Sequence, residues 1–354
     1  MRLFRWRWRG AGMFEGVIGH VRVTEMLVRE ARRPANSYLF VGASSIGKAT
    51  VATEFARVLL CPDSGDHVED CRSCRRIRSG NHPDLIEIGL EGRQSIGVEQ
   101  ARNIVQTATM TPVESPIKVF LVPEAGALTE QAANVLLKTL EEPTGSTIFL
   151  LVTESETDLP STVNSRCRTI HMGRVPSDLI ARHLIATGIE EERATALARV
   201  SGGRPGVAIG LITDVEIDQF RSNWLQLPNR LSERPGEAAM LATEVEGWVA
   251  PLASRAVSGA DLSKDERQRE ERRTTQALVE SGLEILASWY ADAAAIQYGA
   301  PLRNTDLPLA DLTAISPKRA VRNTELILEA IADLNANLRR HLLLTNLFTN
   351  LASG

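Results

Sequence analysis

No stretch of this chain approaches the roughly 18 consecutive apolar residues that suggest a membrane-spanning helix, so no membrane role is expected. A dominant charge of one sign is missing too. A net charge of -4 argues against a protein that grips nucleic acid by overall basicity, and leaves any DNA contact to a local basic strip or to partners. Cysteine is scarce, with four residues, and no secretory signal accompanies it. That pattern fits a reducing cytoplasm, and the clustering of three of the four suits a metal site better than a disulfide scaffold. Internal repeats and low-complexity tracts are absent. What is present is ordinary for globular domains: 43% hydrophobic and 24% charged residues, over a length of 354 residues that suggests two or three domains.

The first twelve residues interleave Arg2, Arg5, Arg7 and Arg9 with Trp6 and Trp8. An arm for a membrane surface or nucleic acid would look like this, but the stretch is too short for a signal peptide's apolar region and Met13 opens a sensible globular sequence. It reads better as a disordered extension or an upstream start. From residue 13 to about 172, short apolar runs alternate with helical patterns, the rhythm of a parallel sheet flanked by helices. Strands are expected at Ser37–Val41, Asp84–Ile88, Lys118–Val122 and Thr147–Val152. The clearest helix is Leu128–Glu141, where Ala133, Leu136, Leu137 and Leu140 share a stripe, Thr129 offers an N-cap and Pro143 lies beyond the end.

After Arg174, strand signals almost vanish. Pro176–Ala198 reads as two short helices and Ser201–Leu211 as a glycine-broken turn leading into another, so 173–213 is expected to form a small helical lid. Residues 214–354 read as all-helical, interrupted at Pro228, Pro235, Pro251, Pro301 and Pro317. The mixed charges of Lys264–Arg273 suit the solvated start of a helix. A last helix is expected at Glu325–Leu351, with Leu326, Ile327, Ala330, Leu334, Leu338, Leu342 and Leu347 on a packed or subunit-facing side.

Two segments carry chemistry. Gly42-Ala43-Ser44-Ser45-Ile46-Gly47-Lys48 follows a predicted strand and opens a predicted helix, the setting in which backbone N–H groups wrap phosphates and a lysine reaches them as a point charge. A working phosphate loop of this kind needs a Ser or Thr hydroxyl next, to ligate Mg²⁺. The chain has Ala49 there, and Thr50, one residue later, is turned by about 100° on the helix. The acidic pair expected after an apolar strand is also reduced: Lys118–Val122 leads into Pro123 and Glu124, and one carboxylate remains. ATP could be bound at Gly42, Gly47, Lys48 and Glu124, but hydrolysis is not expected. The second segment holds Cys61, Cys71 and Cys74. Thiolates at this spacing favour structural, tetrahedral zinc, with His67 the nearest fourth ligand and Asp66, Asp70 and His82 weaker ones. A zinc-free loop of buried cysteines stays open as the alternative.

These segments resemble the bacterial clamp-loader ATPase family of DNA polymerase III, and within it the delta-prime branch. The text LTEQAANVLLKTLEEPTGSTIFLLVTE at Leu128–Glu154 carries the resemblance most strongly, followed by LPSTVNSRC at Leu159–Cys167. MFEGVIGH at Met13–His20, GNHPDL at Gly80–Leu85 and SGGRPG at Ser201–Gly206 match in the same order, so about half the chain is covered. The resemblance implies an α/β AAA+ P-loop domain, a small helical lid and an all-α collar domain. It implies that Arg166 of the Ser165-Arg166-Cys167 element is an arginine finger acting in trans. The implied partners are the gamma/tau motor and delta subunits, the sliding clamp, and primed DNA reached through the assembly.

Departures from the family's pattern matter. Its motors have Ser or Thr at Ala49 and Asp at Pro123, which favours the delta-prime branch over an active gamma/tau-type ATPase. The lid arginine of the motors falls near Gly206, where Arg204 is close but not equivalent. Val68 stands where the family's closely spaced cysteine triplet begins. A zinc-stabilised scaffold with no part in ATP chemistry is the remaining alternative.

Overall fold

The computed structural model describes residues 14, 16–63, 71–90, 95–142, 146–212, 217–234, 236–257, 264–300, 302, 304, 307–335 and 339–353. The twelve-residue extension lies outside the described residues, as do His67, Val68, Pro143, Pro235, Pro301 and Leu338. Two compact units divide the chain between Val175 and Pro176.

The first unit runs α1 (Val21–Glu30), β1 (Ser37–Val41), α2 (Lys48–Leu60), α3 (Arg72–Arg78), β2 (Leu85–Glu87), α4 (Val98–Ala108), β3 (Lys118–Val122), α5 (Glu130–Glu141), β4 (Thr147–Thr153), α6 (Ser161–Asn164) and β5 (Arg168–His171). The sheet order is β2-β3-β4-β1-β5 and every pairing is parallel. Strands β1, β3 and β4 are buried along their whole length, because helices cover both faces of a parallel sheet. The two-residue alternation of a strand then divides β1 between two cores. Tyr38 and Phe40 join Phe55 of α2 on one face; Leu39 and Val41 join Leu136 and Leu140 of α5 on the other.

The four expected strands are all present, with β2 two residues shorter and β4 one longer than expected. The fifth was not foreseen. Arg168-Thr169-Ile170-His171 carries no apolar run, since an edge strand buries only Ile170. Helix α5 begins as its cap requires, with the Thr129 hydroxyl accepting from the Ala132 N–H at 3.1 Å.

The second unit contains no strand among its described residues. It comprises α7 (Ser177–Ala186), α8 (Glu191–Val200), α9 (Pro205–Gly210), α10 (Ile217–Gln226), α11 (Glu237–Val257), α12 (Lys264–Ala295), α13 (Leu309–Thr313), α14 (Pro317–Asn335) and α15 (Arg340–Ala352). Two expectations need correction. Pro251 does not interrupt a helix: it lies inside α11, which forfeits one backbone bond there and is held instead by packing on α12 and α15. The single last helix is two, α14 and α15, so its apolar stripe is not continuous. Ile327, Ala330, Leu334 and Leu347 are buried while Leu342 is exposed.

Candidate functional sites: phosphate loop, cysteine centre and arginine edge

The phosphate loop is built by the turn from β1 into α2. Gly42 packs so closely that a Cβ there would meet the Met172 carbonyl oxygen at 2.2 Å, so no other residue fits. Ser45 and Gly47 have φ of 58° and 99°, and Gly47 is the N-cap of α2 without a side-chain cap. The first N–H groups of α2 therefore have no capping side chain and face the loop, the arrangement that receives anions. The Lys48 ammonium is buried and donates to the Gly42 and Ala43 carbonyls, both at 2.7 Å. His20 Nε2 braces the loop by donating to the Ile46 carbonyl at 2.9 Å.

Ala49 and Thr50 are both exposed on the first turn of α2, and Ala49 offers no oxygen to a metal ion. Glu124 follows β3 at the same edge of the sheet, two strands away, or about 10 Å by strand spacing. Between them at the end of β4 stands Thr153, whose hydroxyl donates to Asp158 Oδ2 at 2.6 Å. Glu87 at the end of β2 brings a second carboxylate to this edge. Desolvation, and then the like charge of Glu124, raise its proton affinity. Neither Thr153 nor Glu87 stood out in the sequence, because each becomes a neighbour only through strand order.

The cysteine centre closes the end of α2. Cys61 is its C-cap, Cys71 is the N-cap of α3, and Cys74 lies one turn into α3. Their three sulfur atoms lie within 4.8 Å of one another, with Cys61 Sγ and Cys71 Sγ 3.8 Å apart. Sulfurs sharing a tetrahedral zinc at about 2.3 Å would sit about 3.8 Å apart, so the donor set fits a soft divalent cation. The Cys74 N–H donates to Cys71 Sγ at 3.5 Å. Burial works to raise the Cys71 thiol, but hydrogen bonds, first that from the Cys74 backbone, pull it below its ordinary value. Burial, reinforced by Cys61 and Cys71, pushes the Cys74 thiol up to about 12 against the pull of Arg57. Zinc held here would be structural, tying α2 to α3.

A fourth ligand is not found among the described residues. Asp66, His67 and Asp70 lie outside them. His82 is excluded by its hydrogen bonds: Nδ1 accepts from the Asp84 N–H at 3.2 Å, and Nε2 lies 2.9 Å from the Ser73 hydroxyl. Burial keeps that imidazole neutral by lowering its pKa. The Ser73 hydroxyl is also 3.2 Å from the Leu60 carbonyl, so His82 and Ser73 together clamp the cysteine segment to the last turn of α2. Asp84, unremarked in the sequence beyond its place in GNHPDL, is fully buried and accepts three N–H groups, from Val113 at 2.6 Å and from Glu114 and Ser115 at 2.8 Å. Desolvation opposes its charge, but these three donors outweigh it and hold the carboxyl below its usual range.

Arg166 lies elsewhere. It follows α6 and precedes β5, whose first residue pairs with Tyr38 near the start of β1. All strands run the same way, so Arg166 sits at the edge where strands begin and the phosphate loop at the edge where they end, about 16 Å away along a five-residue strand. Its side chain is 30% exposed, donates from Nε to Glu141 Oε2 at 2.9 Å and from Nη1 to the Thr162 carbonyl at 3.0 Å, and lines a shallow groove with Ser37, Leu140, Ser165 and Arg168. Cys167 anchors this segment: it packs against the α5 side of the core, and burial pushes its thiol up to about 12.

A family model described as "DNA polymerase III, delta subunit" matches residues 20–176. The Bacillus subtilis DNA polymerase III subunit delta' is 33% identical over 220 residues, covering 61% of this chain and 66% of that one. The Escherichia coli delta' subunit is 31% identical over 186 residues, 51% of this chain and 56% of the relative. In its α/β half, the chain is similar to DNA polymerase III delta-prime subunits. The chain spans between 54% and 66% of the length of the delta-prime relatives it matches. The tau/gamma subunit of Haemophilus influenzae is also similar, 34% identical over 182 residues, which are 50% of this chain and 26% of that protein. A crystal structure of a gamma subunit-related protein from Thermotoga maritima aligns over 93% of this chain and 98% of the other at 18% identity, with a TM-score of 0.44.

The chain gathers Gly42, Gly47 and Lys48 into one loop with Glu124 on the same sheet edge, gathers Cys61, Cys71 and Cys74 into one centre, and holds Arg166 apart from both. Arg204 is fully buried in the second unit, where it binds Ser281 at 2.8 Å and pairs with Glu280. Its guanidinium is a tie between α12 and the turn before α9, which is why it cannot serve as the lid arginine of a motor.

Proposed function

We propose that the chain is the non-hydrolysing delta-prime subunit of a DNA polymerase III clamp loader, working in the cytoplasm beside gamma/tau motor subunits and a delta subunit to load the sliding clamp on primed DNA. Its α/β domain carries the phosphate loop, residues 173–213 serve as a lid, and 214–354 form the collar that joins other subunits. Arg166 is supplied in trans, where a guanidinium neutralises charge on the phosphoryl group transferred in a neighbour's site.

One observation carries this reading. Arg166, half-buried and held by Glu141, stands at the sheet edge opposite its own phosphate loop, away from any nucleotide bound there, which supports a role toward another subunit. Ala49 and Pro123 support the same division of labour, because the Mg²⁺ grip of a motor is missing on this side. Nucleotide held at Lys48 would then be retained and not turned over.

The test is ATPase turnover by the isolated chain and by its mixture with the motor subunits, clamp and primed DNA. The isolated chain is expected to be silent and the mixture active. Arg166→Ala is expected to slow hydrolysis at the facing site by a factor on the order of 10³–10⁵. Motor-like turnover by the chain alone would support a gamma/tau-type ATPase instead, and an unchanged rate with Arg166→Ala would support a zinc-stabilised scaffold.

A further inference from the structure

The most anomalous charge in the first unit is Arg57, on α2. Its side chain is 1% exposed. Burying a guanidinium carries a large desolvation cost unless every face of it meets an acceptor. Its Nε donates to Glu54 Oε2 at 2.7 Å, one turn back on the same helix. Its Nη1 donates to Cys74 Sγ at 3.6 Å.

A neutral thiol is a poor acceptor for so costly a donor. A thiolate is a good one, since charge-assisted hydrogen bonds are roughly twice as strong as neutral ones. Three thiolates around a divalent cation leave one surplus negative charge, and a neutral fourth ligand does not remove it. Arg57 is aimed at the sulfur that is itself fully buried, where that surplus is least screened by water. Glu54 holds the guanidinium in the orientation that presents Nη1 to the sulfur.

We propose that Arg57 is a positioning residue of the cysteine centre: it fixes Cys74 Sγ and offsets the surplus charge of a thiolate-bound divalent cation. This rests on Cys61, Cys71 and Cys74 holding such a cation. Arg57 itself touches no metal.

The experiment uses the full chain, stripped of metal and titrated with Co²⁺, then with Zn²⁺ against a chromophoric chelator. The wild type is expected to take up one equivalent and show sulfur-to-cobalt charge-transfer absorption. Arg57→Met is expected to bind about 10- to 100-fold more weakly, with the charge-transfer band moved to lower energy, because a thiolate stripped of a hydrogen bond gives up electron density more easily. A merely structural role would not move that band. Arg57→Lys, which keeps the charge without the fork, should fall between the two. If the wild type shows no such absorption, the metal reading fails and the inference with it. If the band is present and both variants bind within twofold of wild type with the band unmoved, the inference alone is overturned. Should neither variant fold, Glu54→Gln decides: affinity changed by more than twofold together with a moved band, in either direction, upholds the inference, and an unchanged site overturns it.

Discussion

Asp84 shows how much of the first unit's stability rests on one side chain. Three backbone N–H groups converge on its carboxylate, so Asp84→Asn, whose amide nitrogen cannot accept, is expected to cost on the order of 2–3 kcal/mol at neutral pH. The sign of the pH dependence follows from the depressed folded pKa. The contribution is complete above the ordinary carboxylate value of 3.8 and is lost as pH falls through the lower folded value. Denaturant melts at neutral and acidic pH should therefore show a narrowing gap between wild type and Asp84→Asn as pH falls. A gap that stays constant would mean the charge contributes nothing. If the chain is the non-hydrolysing subunit proposed, adding a hydroxyl with Ala49→Ser is expected to leave the isolated chain without ATPase activity, because Pro123 offers no carboxylate beside Glu124. Steady-state phosphate release is the measurement.

Among elements, α12 shows packing overruling propensity. Gly282 lies inside it, and glycine there is less favourable than alanine by about 1 kcal/mol on intrinsic grounds. A Cβ at that position would lie 1.9 Å from the Trp224 ring, which is fully buried against α12. Gly282→Ala is therefore expected to destabilise the second unit, since overpacking of about 1–3 kcal/mol outweighs the helical gain. A lower melting temperature, read by Trp fluorescence, would bear this out. The Arg204 tie works through charge: Arg204→Met leaves Glu280 buried without its cation and is expected to cost about 3–5 kcal/mol. In the Glu280→Gln background the same substitution should cost much less. Helix α11 makes the complementary point, since Pro251 alone signals a break, but packing on α12 and α15 carries the helix through it.

On the scale of the whole molecule, the cysteine centre belongs to the first unit and the Arg204 tie to the second. If the centre holds zinc, chelation is expected to lower the melting of the α/β unit and leave that of the helical unit unchanged. Calorimetry of full-length protein with and without chelator distinguishes these transitions, and removal of metal without effect on either would deny the centre a structural role.

The α/β class, four of five strands, the capped helix α5, the glycine-rich turn before Lys48 and the cysteine cluster were all legible in the amino-acid sequence. Each is written in local signals: apolar runs of strand length, a Thr at the start of a 3.6-residue stripe, glycines before a lysine, and cysteines close together in the chain. Strand order was not local, and with it came β5, the approach of Glu87 to Glu124, and the placement of Arg166 at the edge opposite Lys48. Arg57 had no sequence signal beyond its type, and the motifs that contain Asp84 and Arg204 did not reveal what these two side chains bind. Their meaning arises from burial, where a charge must find partners that the chain delivers from 17 to 77 residues away.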